Sequence, residues 1–118
     1  MLTEITNRRL KLTYYVFIDD KRPLPNETEQ YDVSVLIRDF GDAILFLEKI
    51  RYEDIYLSLD FDLSDKNGFT GIDLLRNILL HRDRDNWFKS LKVHCHSDLP
   101  TRYDNFSAII KFNELPTF

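Results

Sequence analysis

The sequence predicts an α/β fold with an open, mainly parallel sheet flanked by helices. Two observations support this prediction: apolar runs of strand length alternate with helical patterns along the chain, and several of these runs end in acidic residues or histidines. The chain has 118 residues, of which 43% are hydrophobic, so it can form a real core. We therefore expect one domain spanning residues 1–118, of which residues 1–11 could form a flexible arm.

The composition excludes several classes of protein. Acidic residues outnumber basic ones by 20 to 16, and a net charge of −4 argues against general binding to duplex DNA or to an anionic membrane. A single cysteine, Cys95, cannot form an intramolecular disulfide. No apolar stretch reaches the roughly 18 residues that a membrane span needs, and no signal-peptide pattern is present. We expect a cytoplasmic protein.

The first elements are predicted from an apolar run and a proline-broken turn. Residues 12–18 are continuously apolar and aromatic, which is typical of a central parallel strand covered on both faces. Pro23 and Pro25 prevent a regular element in the next segment, where a longer helix could have stood. Residues 31–39 alternate in polarity and predict a second strand with one face more exposed.

The middle of the chain predicts a helix, a strand and a second helix. Asp39 can cap a helix that carries an apolar stripe at helical spacing. Residues 54–63 form the third predicted strand, which delivers Asp60 at its end. A polar turn follows, and Thr70 and Asp73 then form a capping-box-like start to the next helix.

The last part of the chain predicts a fourth strand and an ambiguous tail. Residues 90–97 alternate so that Cys95 lies on one face, while His94 and His96 lie on the other. Cys95 is expected in the core, with no base beside it that would make it a catalytic thiol. The tail at 101–112 could form one short helix or an edge strand.

Polar residues would meet at one edge of this sheet if the first, third and fourth strands are neighbours. They are Asp19, Asp20, Asp60, Asp62, His94, His96 and Ser97. Ligands of open α/β sheets bind outside the carboxyl ends of the strands. Carboxylates brought together there repel one another, and a hard divalent cation relieves the repulsion. We therefore predict Mg²⁺ or Mn²⁺ at Asp19, Asp20 and Asp60, with Asp62 as a further ligand; the alternative is a solvated acidic rim.

The same edge could support phosphate chemistry. Asp60 could ligate a metal or attack phosphorus to give an aspartyl phosphate. His94 and His96 could bind a metal, place an acid and a base beside one substrate, or simply pack, and we favour His94 for catalysis. Arg22 could hold a phosphate against the metal, and Arg102 could do so from the far side.

Three motifs at these positions resemble the cyclic-phosphate processing receiver domains, which are related to response-regulator receivers. They are the Asp-Asp-x-Arg-Pro turn, the Ser-Leu-Asp-x-Asp-Leu strand end and the histidine after the fourth strand, within a similarity over about residues 14–106. The resemblance implies a small, truncated receiver-like (flavodoxin-like) fold and the processing of cyclic phosphates in RNA repair. It also implies Asp19, Asp20 and Asp60 as metal-binding acids, with Asp62, Arg22, His94 and Asn105 lining the site.

The sequence departs from the family pattern in two places. The usual His-Ser-x-Asn is His94-Cys95-His96-Ser97, and the usual Asn-Met is Asn105-Phe106. Ordinary receivers also carry a lysine after a fifth strand, where this tail offers only Lys111. A conventional phosphorelay is therefore the weaker interpretation.

Three functions stay open at this point. The first is a metal-dependent phosphoesterase that acts on a cyclic phosphate, in a small molecule or at an RNA end. Its catalytic residues would be His94, Asp60 and Arg22, and its substrate would contact Arg22, His96, Ser97, Arg102 and Asn105. The second is a receiver-like signalling module phosphorylated on Asp60. The third is a degenerate module that uses the fold to bind a protein partner.

Overall fold

A computed structural model describes residues 11–96 and 100–118 of the chain. Most of the expected N-terminal arm, residues 1–10, and the predicted substrate contact Ser97 lie outside the described residues. The elements in chain order are β1 (Thr13–Ile18), β2 (Val33–Ile37), α1 (Phe40–Lys49), β3 (Asp54–Asp60), α2 (Gly71–Asp85), β4 (Leu91–His96) and α3 (Pro100–Phe112). The ambiguous tail is thus a helix.

The four strands form one parallel sheet in the order β2-β1-β3-β4. This confirms the predicted receiver-like α/β fold and the expected neighbourhood of the first, third and fourth strands. The capping signals are also confirmed, since the Asp39 carboxylate accepts the Asp42 N–H at 2.8 Å and Thr70 forms a capping box with Asp73. Within the described residues, no helix is long and apolar enough to cross a membrane.

One side of the sheet, which we call the covered face, packs against all three described helices. Its strand residues include Val16, Ile18, Leu57, Leu59, Val93 and Cys95, and they form one core with Ala43 and Leu47 of α1, Leu74 and Ile78 of α2, and Phe106 of α3. Cys95 is 6% exposed, and burial raises the pKa of its thiol to about 12. The prediction that Cys95 is a core residue is therefore confirmed.

The other side, which we call the open face, carries aromatic and polar side chains. Its residues lie in register across the strands: Tyr15 with Tyr56 and Lys92, Phe17 with Ser58 and His94, and Asp60 with His96. The recorded ring contacts on this face come from these strand residues, from Tyr31 in the proline-containing loop and from Phe118. None of the described helices contributes to them.

The absence of a described helix on the open face follows from the loop after β1. Pro23 and Pro25 exclude a regular helix there, as the sequence predicted. The Tyr31 ring from this loop stacks on Tyr15 at 5.0 Å, and Phe17 is only 6% exposed. Strand β1 is therefore buried on both faces as expected, but its second face is covered by a loop and aromatic rings.

Candidate metal and phosphate site

Asp19 is the most deeply buried acid at the carboxyl edge of the sheet, with a side chain 1% exposed. Its Oδ1 accepts the backbone N–H groups of Lys21 at 2.8 Å and Arg22 at 2.9 Å, which folds the chain into a tight turn directly after β1. Its Oδ2 accepts Arg22 Nη1 at 3.1 Å. Burial acts to raise the pKa of Asp19, but these N–H donors and His96 outweigh it, so the pKa lies below its usual value.

His96 is held on both of its ring nitrogens. Nε2 lies 2.9 Å from Asp19 Oδ2, and Nδ1 lies 3.1 Å from Ser58 Oγ. The ring also stacks on Phe17 at 5.1 Å with an interplanar angle of 8°. Burial lowers the pKa of His96 despite the opposing effect of Asp19. A neutral imidazole that donates from Nε2 to Asp19 and accepts the Ser58 hydroxyl at Nδ1 satisfies both contacts.

Asp60 ends β3 beside Asp19 and is 7% exposed. Its Oδ1 accepts the Phe61 N–H at 2.9 Å. Burial, and after it the negative charge of Asp19, raises the pKa of Asp60 to about 6. Its backbone is also confined, because a Cβ at Gly71 would lie 2.1 Å from the Asp60 carbonyl oxygen and 2.8 Å from Cζ of Phe106.

Three of these side chains could hold a metal ion together. One ligand atom each from Asp19, Asp60 and His96 lie within 4.8 Å of one another. Two carboxylates and an imidazole suit a divalent cation, and a cation would relieve the repulsion that raises the Asp60 pKa. The acids are two of the three predicted from the sequence, and the structure adds His96 to them.

The third predicted acid, Asp20, borders the same cavity without joining that group of three. A cavity of about 190 Å³ is lined by Asp19, Asp20, Lys21, Arg22, Asp60 and Asp62. We call it the acid cavity. The Asp20 carboxylate accepts a hydrogen bond from the Ser64 hydroxyl, and Asp62 pairs with Arg102, whose guanidinium carbon lies 4.7 Å from the Phe61 ring centroid. Asp62 and Arg102 thus engage each other at the rim of the acid cavity.

The remaining predicted residues lie further from the acids. His94 is exposed, and its recorded ring contacts are with His96 at 6.4 Å and Phe118 at 5.9 Å. It shares a second cavity with Arg22 and His96. Asn105 is exposed on α3 and borders a different cavity. The structure therefore places His96, and not His94, in contact with Asp19, and it does not bring Asn105 to the acid cavity.

Sequence reasoning missed Ser58 and Gly71. Ser58 is 2% exposed and lies two residues before Asp60 on the open face, so the two-residue alternation of β3 was a signal that could have identified it. No comparable signal marks Gly71, because its close approach to Asp60 depends on how α2 packs against β3.

Comparisons with known proteins address the family of the chain. The sequence model of one family, described as the cyclic-phosphate processing receiver domain, matches residues 14–112. This range holds β2, β3 and β4, all of β1 except Thr13, and every residue that lines the acid cavity. No curated protein and no solved structure is significantly similar to the chain.

Proposed function

This chain belongs to the cyclic-phosphate processing receiver domain family, and from that premise we propose that it opens a cyclic phosphate ester by metal-dependent hydrolysis. The substrate would be a 2′,3′-cyclic phosphate on a nucleotide or at an RNA end. The observation that supports this most strongly is the convergence of Asp19, Asp60 and His96 at the carboxyl edge of the sheet, beside Arg22.

The metal in this proposal is Mg²⁺ or Mn²⁺. Asp19 and Asp60 would hold it, with Asp20 at the rim, and His96 would join them through Nε2 in the tautomer whose Nδ1–H donates to Ser58, giving up its hydrogen bond to Asp19. When bound, such an ion supplies positive charge next to the phosphate and polarises it. The residues present fit such an ion: Asp60 is buried beside a second carboxylate, and both its burial and the charge of Asp19 raise its pKa. A cation is the ligand that this environment favours.

Arg22 connects the acids to the rest of the site. Its guanidinium contacts Asp19, its side chain is 40% exposed, and it lines both the acid cavity and the neighbouring cavity that contains His94. A guanidinium in this position would hold the phosphate and stabilise the negative charge that develops on it.

His94 is our candidate for proton transfer. Opening the ring forms a bond from a water oxygen to phosphorus and breaks the bond from phosphorus to one ribose oxygen, which must gain a proton. Both nitrogens of His96 are engaged by Asp19 and Ser58. Neither nitrogen of His94 has a hydrogen-bond partner among the described residues, and its ring borders the cavity that Arg22 lines, so it is the better placed of the two.

The test is hydrolysis of nucleoside 2′,3′-cyclic phosphates and of a short RNA ending in one, with Mg²⁺ or Mn²⁺ and with EDTA. We expect metal-dependent turnover that falls about 10²–10⁴-fold in His94→Ala, the usual cost of losing a general acid or base. Lys92→Ala, an exposed change two residues earlier on β4, is the matched control and should retain activity. Absence of turnover on every substrate would refute the proposal.

A second candidate, phosphorylation of Asp60, is favoured by one observation. Asp60 ends the third strand of a sheet in receiver order, next to Asp19. Acetyl phosphate with Mg²⁺ would then add one phosphoryl group, detectable by intact mass and lost in Asp60→Asn. Lys111 lies on the last turn of α3 and lines a cavity with His94 and Phe118, away from the acid cavity. This placement makes a conventional receiver the weaker candidate.

A further inference from the structure

A second cavity, of about 430 Å³, opens on the open face beside the acid cavity. We call it the side cavity. Arg22 lines both cavities, and His96, one of the three candidate metal ligands, also lines the side cavity. The volume lies within the roughly 300–1,000 Å³ typical of small-molecule sites. A ligand whose phosphate sits at Arg22 and the acids would therefore have its remaining atoms next to this space.

The side cavity extends along the strands away from the acids. Asp60 is level with His96, Ser58 is level with Phe17 and His94 one row further in, and Tyr15 lies one row beyond that. Each row adds about 6–7 Å, because two residues of a strand rise by that distance. A nucleotide extends from its phosphate through its ribose to its base over a comparable length.

The walls of the side cavity suit a flat, weakly polar group. The strands contribute the His94 ring and the buried rings of Phe17 and Tyr15, and the loop after β1 contributes the exposed prolines Pro23 and Pro25. No carboxylate of the described residues lines the cavity, which argues against an amine or a second cation as its ligand. The few polar groups it offers would satisfy a base better than a sugar with many hydroxyls.

We infer that the side cavity is the nucleoside subsite of this protein, with the base stacked between His94 and the proline-containing loop. The placement of the phosphate rests on the proposed function. The inference adds that the protein contacts the base itself and therefore discriminates against cyclic phosphates that lack a base. His94 then has two separable properties: a flat ring that contacts the nucleoside, and nitrogens that can transfer a proton.

Binding can be measured without turnover by calorimetric titration of adenosine 3′-phosphate and of inorganic phosphate into the metal-loaded protein. Stacking of a base is worth about 1–3 kcal/mol, so we expect the nucleotide to bind about 5–150-fold more tightly than phosphate. His94→Ala and the double variant Pro23→Ala/Pro25→Ala should lose much of this difference. His94→Phe should retain it, because the flat ring is kept, and Tyr52→Ala, at an exposed aromatic residue outside the cavity, should change nothing.

Kinetics distinguish failure of the inference from failure of the proposed function. A nucleoside 2′,3′-cyclic phosphate should be hydrolysed with about 5–150-fold higher kcat/KM than glycerol 1,2-cyclic phosphate, which has no base. Equal turnover of both would support the function and overturn the subsite. Nucleotide binding that the His94 and proline variants weaken, with no turnover of either ester, would support the subsite and overturn the function. Equal affinity for nucleotide and phosphate would overturn the subsite in either case.

Discussion

The covered and open faces of the sheet are built from alternate residues of the same strands, yet they have different tasks. On β4, Cys95 points into the core with 6% exposure, while its neighbour His94 is exposed. On β3, Leu57 is fully buried under the helices, while Ser58 contacts His96. Helices stabilise one face, and a loop with aromatic rings leaves cavities on the other. The candidate site is therefore built from the open-face residues of each strand and from the acids at the carboxyl ends of the strands.

The largest expected effect is on thiol reactivity at two adjacent positions of β4. The pKa of Cys95 is about 12, so at pH 8 its thiolate fraction is about 10³-fold below that of an ordinary thiol. The greater nucleophilicity of a high-pKa thiolate offsets part of this factor, and burial of the thiol acts against reaction, so reaction with a disulfide reagent should be slower by about 10²-fold or more than in His94→Cys combined with Cys95→Ala. The measurement is the rate at which each folded protein reacts with the reagent. Similar rates for the two proteins would contradict the assignment of faces.

The next effect separates the faces by stability. Leu57→Ala removes a fully buried side chain from the covered face and should lower the free energy of unfolding by about 2–5 kcal/mol. Lys92→Ala, on the open face of β4, should cost less than about 1 kcal/mol even though the ammonium lies 5.1 Å from the Tyr56 ring centroid. Urea unfolding of both variants measures the two losses of stability, and equal losses would contradict the difference between the faces.

Substitution of Asp60, at the carboxyl edge of the sheet, should raise the free energy of unfolding instead of lowering it. Folding raises the pKa of Asp60 from 3.8 to about 6, so its ionisation opposes folding, and stability is lost as pH rises between these values. In EDTA, Asp60→Asn should therefore be more stable than wild type above pH 6, by up to about 3 kcal/mol, and nearly equal to it below pH 4. Urea unfolding at pH 4 and pH 8 measures this.

Repeating that experiment with Mg²⁺ in place of EDTA tests whether a cation compensates the charge of Asp60. Saturating Mg²⁺ should stabilise wild type at pH 8 and leave Asp60→Asn almost unchanged, since only the ionised carboxylate is a good ligand. A variant that is less stable than wild type at pH 8 in EDTA would show that Asp60 is compensated by the protein itself.

The smallest effect concerns the start of α2, on the covered side next to Asp60. Thr70 and Asp73 form a capping box in which the Asp73 carboxylate accepts the Thr70 N–H at 2.7 Å. Thr70→Ala should cost about 1 kcal/mol of stability, and Thr70→Ser should cost only a few tenths because it keeps the hydroxyl. Thermal unfolding compares the two, and equal losses would assign the effect to packing of the methyl group.

The sequence predicted the order of the elements well because each signal was local. The apolar run of β1, the caps at Asp39 and Thr70 and the prolines after β1 all act through neighbouring residues. The prolines also indicated that no helix would follow β1. They did not indicate that one face of the sheet would carry aromatic rings and a cavity, because that depends on how all the elements pack together.

The candidate site was predicted less completely, because register decides it. Position near a strand end favoured His94, but pairing of β3 with β4 sets His96 level with Asp60 and in contact with Asp19. Asn105 was expected at the site from the family resemblance, but it lies on α3 beside another cavity. The acids were predicted because they directly follow apolar strands whose neighbourhood the fold class already implied.

The absence of a side chain at Gly71 has a consequence for how tightly an ion could be bound. Because Gly71 has no Cβ, the first residue of α2 can lie in direct contact with the Asp60 carbonyl, and its N–H donates a hydrogen bond to the Phe61 carbonyl oxygen at 2.8 Å. The start of α2 thus holds the backbone at the end of β3 in place, and the hydrogen bond from the Phe61 N–H holds one oxygen of the Asp60 carboxylate. A ligand held in this way is preorganised, so little conformational entropy remains to be lost when a cation arrives.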